Sequence, residues 1–147
     1  MKRILFFLSL SLLFACASAF AHDKVEAPKS CKVCGMDRSM FAQSRMILVY
    51  ADGESVGTCS LHCVATHLQK NPGKKAKSLQ VADCKSRMLI DAHTAVWVIG
   101  GKKSGVMTEL PKWAFAKKDD ADAFIKVNGG KIAGFDEAMR LAEKEQD

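Results

Sequence analysis

The chain lacks a run that could serve as a stable membrane span. Its most apolar stretch, Ile4 to Ala15, is too short to anchor in a bilayer. Basic charge is hardly clustered: apart from Lys74, Lys75 and Lys77, the lysines are scattered. That distribution argues against a nucleic-acid-binding face and reads the small cluster as a solvated loop. No segment repeats another by identity. The residues before the first cysteine pair, Glu26-Ala27-Pro28-Lys29-Ser30, do not form the apolar strand that precedes a redox Cys-x-x-Cys at a helix N-terminus. A thiol-disulfide oxidoreductase using Cys31 and Cys34 is therefore the weakest functional reading.

What is there begins with an export signal. Lys2 and Arg3 precede the apolar run, so residues 1–21 read as a signal peptide. Two processing routes compete. Ala19-Phe20-Ala21 is a small-x-small cleavage site that would leave His22 as the first mature residue. Leu13-Phe14-Ala15-Cys16 is similar to a bacterial lipobox and would leave a lipidated Cys16, although Phe14 is bulky for that motif. Both routes place the mature chain in the periplasm or at the cell exterior, with membrane contact only through a lipid anchor. Cleavage after Ala21 leaves 20 basic against 16 acidic side chains, a net charge of +4. The remaining 126 residues are ample for one domain with a sizeable core. Five cysteines are left, an odd number, so at least one is free, intermolecular or metal-bound.

Four of those cysteines fall between Cys31 and His67. Cys31-Lys32-Val33-Cys34-Gly35-Met36 is a tight loop on which two sulfurs can converge, with Gly35 supplying the positive φ such a turn needs. Met46 to Tyr50 and the residues up to Thr58 alternate as two strands around an Asp52-Gly53 hairpin signal. Cys59, Cys63 and His67 follow at intervals of four, which on a helix lines them along one face, with His62 three past Cys59. Loop thiols, hairpin and helix-borne thiols are the layout of a treble-clef metal site. A disulfide between Cys59 and Cys63 inside one helix would be strained, although cross-pairs such as Cys31 with Cys59 stay open in an exported chain. The candidate ligands are Cys31, Cys34, Cys59 and Cys63, with His62 and His67 as additional ones. Thiolates suit both Cu(I) and Zn(II), and the thioether of Met36, two residues past Cys34, tips the balance toward Cu(I).

The rest reads as alternating strands and helices. Residues 22–30 are polar and read as a mobile leader. The first helix runs from about Ser60 to Gln69 or Lys70, ended by Asn71-Pro72-Gly73. Ser78–Cys84, Met88–Ile90, Ala95–Ile99 and Lys112–Ala116 read as strands. His93 reads as a hydrogen-bonded structural residue, and Cys84 as a buried small hydrophobe. Asp119 or Asp120 caps a helix to about Val127. Lys131–Ala133 is a short strand, and an amphipathic helix covers Phe135 to Glu145. The expected fold is α+β: two similar strand-strand-helix-strand halves, the cysteine-rich site in the first, plus a C-terminal helix. Residues 31–147 form a single domain.

The chain resembles the NosL family, exported Cu(I)-binding accessory proteins of nitrous oxide reductase. Cys31-x-x-Cys34-Gly35-Met36 is similar to the family's Cys-Pro-Val-Cys-Gly-Met opening, with Lys32 in place of proline. Ala95-Val96-Trp97-Val98 and Gly105-Val106-Met107 are similar to its strand and Gly-Pro-Met-Gly loop, with Val106 and Thr108 in place of Pro and Gly. Phe115-Ala116, Asp122-Ala123-Phe124, Gly129-Gly130-Lys131 and Phe135-Asp136-Glu137-Ala138 resemble its C-terminal half. Cys59-x-x-x-Cys63 is not universal there and is similar instead to the TRASH-type treble clef. The resemblance implies a single NosL-like α+β domain, Met107 as a further copper ligand, Cu(I) as the metal and a client cuproenzyme as partner. It implies no enzymatic activity. A module holding structural Zn(II) is the alternative.

Overall fold

The computed structural model describes residues 25–145. The signal peptide, Cys16 and His22 lie outside them. The elements are β1 (Met46–Tyr50), β2 (Ser55–Thr58), α1 (Leu61–Gln69), β3 (Ala76–Ala82), β4 (Leu89–Asp91), β5 (Val96–Ile99), β6 (Lys112–Phe115), α2 (Lys118–Asn128), β7 (Lys131–Ala133) and α3 (Phe135–Lys144). No helix among the described residues is long and apolar enough to cross a membrane.

Two sheets form, in the orders β2-β1-β3-β4 and β6-β5-β7. Every strand pair is antiparallel. The two halves share one topology. In each, the first strand is central, pairs with the second as a hairpin, and pairs on its other side with the strand that follows the helix. The likeness of the halves is thus one of connectivity, carried without sequence identity. β4 extends the first sheet and α3 closes the chain.

Strand alternation decides which side chains meet. Met46, Leu48, Tyr50, Leu79 and Val81 of the first sheet enter one core with α1, α3, and Trp97, Ile99 and Ala114 of the second sheet. Trp97 is satisfied there by donating Nε1–H to the Ala92 carbonyl at 2.9 Å. The opposite face of the second sheet presents Val98, Trp113 and Phe115 to a second core, built with Ala121 of α2 and with Cys31, Cys59 and Cys63. The thiols therefore sit at the boundary between the two halves.

Two local expectations change. The cap of α2 is Lys117, which makes no side-chain capping bond, and Asp119 and Asp120 lie in the first turn. There their charge complements the positive end of the helix dipole. The leader is held down in its described part: the Glu26 carboxylate pairs with Arg38 and Arg45.

Candidate metal centre

The first thiol pair is carried by a turn folded onto itself. Gly35 donates its N–H to the Cys31 carbonyl at 2.9 Å, and Cys31 donates to the Met36 carbonyl at 2.8 Å. Gly35 has φ +76°, and a Cβ there would meet nothing within 4 Å. The glycine is needed for its backbone conformation, not for space. The Lys32 N–H bonds the Gly57 carbonyl at 2.9 Å, which fixes this turn to β2.

The second pair brackets a helix start. Ser60 is the N-cap of α1, extended at φ −163° and ψ 170°, and its hydroxyl accepts from the Cys63 N–H. Cys59 precedes the cap and so lies off the helix, a correction to the stripe expected from its spacing. An N-cap residue leaves helical geometry to place its side chain over the first turn, and this carries Cys59 out of the helix. The two sulfurs still converge, 3.6 Å apart.

Cys34 Sγ lies 3.5 Å from Cys59 Sγ. The sulfurs of Cys31, Cys34, Cys59 and Cys63 all fall within 4.8 Å of one another. All five described cysteines, Cys84 included, are free thiols, so the Cys31–Cys59 cross-pair is not formed. The 3.5 and 3.6 Å separations are close to the edge of about 3.8 Å that four sulfurs around one ion require at metal–sulfur bonds of about 2.3 Å. Cys31, Cys59 and Cys63 are buried, and Cys34 is the partly exposed corner.

The electrostatics explain why such a group calls for a cation. Hydrogen bonds from the Cys59 and Cys63 thiols hold the Cys31 thiol far below its ordinary pKa. The same sharing pushes Cys59 far up. Cys63 is pushed up to about 12, first by its bond to Cys31. Without a cation Cys31 keeps the charge, and Cys59 and Cys63 retain their protons. A bound cation reverses that balance, and loading releases protons. Burial pushes Cys84 up to about 11. It packs against the second core as a neutral thiol outside the group of four.

The other candidates spread out. Met36 packs against the core that contains Cys31, Cys59 and Cys63. Met107 is 45% exposed at a loop position with φ 57°. It lines an open pocket with His62, Thr108, Glu109 and Glu145. Its neighbour Val106 belongs to the cysteine core. His62 Nδ1 lies 3.6 Å from Glu145 Oε2. His67 instead lies beside the Tyr50 ring, tilted by 46° with centroids 6.0 Å apart. Burial lowers its pKa, and its Nε2 lacks a hydrogen-bond partner. His93 packs on Phe135 at 4.2 Å.

Sequence reading missed Arg38. It is fully buried beside the first thiol loop. The one trace in the sequence is Gly57, a glycine inside a strand, which often marks a close approach. A Cβ on Gly57 would stand 2.8 Å from Arg38 Cζ.

Fold and site together define a thiol-rich metal-binding α+β domain. The NosL family model matches residues 22–141. The chain belongs to the NosL family. The crystal structure of the copper chaperone NosL from Shewanella denitrificans is similar, with 26% identity and a TM-score of 0.61. The match covers 77% of this chain and 91% of that one. No curated protein matches the chain.

Proposed function

We propose that the chain is an exported copper chaperone that holds Cu(I) on Cys31, Cys34, Cys59 and Cys63 and delivers it to a periplasmic cuproenzyme, nitrous oxide reductase first among them. The observation that carries this reading is the convergence of four unbridged thiols, with Cys34 alone on the solvent side. Family membership and the similar copper chaperone support it. Soft thiolates favour Cu(I), and a thioether adds to that preference. Met107 and His62 share an open pocket, and Met107 follows a residue of the cysteine core. The pair offers a weaker, exchangeable set through which the ion leaves. Binding and transfer, not turnover, is the activity. The export signal gives the chain its compartment, and mass spectrometry of the mature N-terminus checks it: His22 or a lipidated Cys16 is expected, an intact Met1 contradicts export.

Structural Zn(II) is the second reading. Four sulfurs with three of them buried match the ligand count of a closed structural site. Competition of the reduced chain against a Cu(I) chelator under anaerobic conditions separates the two. Met107→Ala should weaken Cu(I) retention by about tenfold, of the order seen when metal-site partners are removed. Stability should change by no more than about 0.5 kcal/mol, as for an exposed side chain. Stripping the metal should leave the circular dichroism spectrum intact. Unfolding on chelation would identify structural zinc.

A further inference from the structure

Arg38 has no exposed surface, yet its guanidinium is bonded on every side. Nη1 donates to the carbonyls of Glu26 at 2.8 Å and Pro28 at 2.6 Å. Nε donates to the Thr58 carbonyl at 3.1 Å. Nη2 donates to the Met46 carbonyl at 3.0 Å and to the Glu26 carboxylate. The backbone N–H of Arg38 adds a bond to the Lys29 carbonyl at 2.8 Å. Pro28 lies three residues before Cys31, and Thr58 directly precedes Cys59. One side chain thus ties the segment entering the first thiol pair to the strand entering the second.

The surroundings are built for this cation. A buried charge needs a counter-charge and satisfied donors, and Glu26 supplies the charge. The Glu26 carboxylate also takes Arg45, whose Nη2 lies 3.0 Å from Oε2. Burial alone would raise the Glu26 pKa, but hydrogen bonds from the backbone, Arg38 and Arg45 outweigh it and hold the group ionised. Gly57 leaves the room: a Cβ there would come within 2.8 Å of Cζ and Nη1. The two thiol pairs come from different elements, so their separation is set by whatever joins those elements. A metal site tolerates misplacement of only about 0.5 Å.

We propose that Arg38, neutralised by Glu26 and given room by Gly57, is a positioning residue of the thiol cluster, acting with the Lys32–Gly57 backbone bond to set the separation between the Cys31/Cys34 loop and the Cys59/Cys63 turn. This rests on reading the cluster as a metal site. It makes the segment before Cys31 part of that site: a disturbance of Glu26 is felt as a change in how many sulfurs reach one ion.

The test uses the mature chain, reduced and titrated with Co(II) without oxygen, since the sulfur-to-cobalt charge-transfer intensity counts bound thiolates. Wild type should show the full band, and Cys34→Ser should lose about a quarter of it, one ligand in four. Arg38→Lys cannot span the same carbonyls, and Gly57→Ala displaces the guanidinium while removing no polar group. Both should stay folded, lose a comparable fraction of the band, and hold Cu(I) about tenfold or more less tightly, as supporting-residue changes do. Glu26→Gln should show a smaller loss of the same kind. Leu79→Ala, a change in the other core, should lower the Tm with the spectrum unaltered. A wild-type band that Arg38→Lys and Gly57→Ala leave unchanged overturns the inference alone. So does a loss in Leu79→Ala that follows the Tm, because general loosening would then explain the effect. A wild-type chain with no band overturns the metal-site reading itself and this inference with it.

Discussion

At the residue scale, proton sharing among the sulfurs is the main physical fact. Thiols held this close cannot all ionise unless a cation joins them: Cys31 takes the negative charge, and Cys59 and Cys63 resist deprotonation in the metal-free chain. Cys63 is raised to about 12, first by its bond to the Cys31 thiol and then by burial, and Cys84 to about 11 by burial. Both lie above the ordinary value of 9.0. A group whose folded pKa is raised contributes stability that is present below the unfolded pKa and lost as pH rises toward the folded one. The metal-free chain should therefore lose stability as pH climbs from about 9 to 11. Denaturant melts across that range should show the decline, and Cys84→Ala should make it shallower, since Cys59 and Cys63 still hold raised values. A flat profile in the parent chain would mean that the thiols are not held as neutral groups. The choice between Cys84 and the other four was legible in the sequence, because it stands outside both paired motifs. The side chains that surround the thiols were less so. His67 is spaced to share a helical face with Cys63, but the Tyr50 ring offers its imidazole a packing partner on another element, which spacing along one helix does not reveal.

At the scale of elements, local chemistry wrote most boundaries. Asp52-Gly53 turns the first hairpin, with Gly53 at φ 90°. The strand spans came close because β-branched and aromatic runs are bounded by Gly, Pro and Asn. The ends of elements were harder. Cys59 leaves the helix because Ser60 caps it, and Lys117 precedes α2 without a capping side chain. Neither follows from periodicity, which describes the inside of a helix and not its start. The first cysteine turn carries its own prediction. Gly35→Ala places a Cβ in free space but in the left-handed region, so the cost is conformational alone, about 1–2 kcal/mol. Thermal melts should find that loss with the metal-free chain still folded. No loss would show that the turn adopts another backbone shape.

At the scale of the whole molecule, the two halves meet at the thiol cluster. The first contributes all four thiols; the second contributes Val98, Trp113 and Phe115 as the apolar wall behind them. The alternation of strands and helices made this doubled α+β plan legible, and the cysteine spacing made the group of four legible. Contacts between distant parts of the chain were not. Glu145, at the end of the chain's last helix, accepts hydrogen bonds from Thr108 and Lys112. That contact brings the Met107 loop, His62 and the end of α3 to one pocket. Likewise Arg38 gathers carbonyls from the leader, β1 and β2. Such gatherings depend on tertiary packing and leave no periodic trace.

The proposed function requires one copper ion to sit among the four thiols. X-ray absorption at the copper edge of the reduced chain, loaded with one equivalent of Cu(I), tests it most directly. A copper ion on the cluster gives a shell of three or more sulfurs at about 2.3 Å, the usual metal–thiolate length, losing a sulfur in Cys34→Ser. A shell dominated by nitrogen or oxygen, or one that Cys34→Ser leaves unchanged, would contradict it.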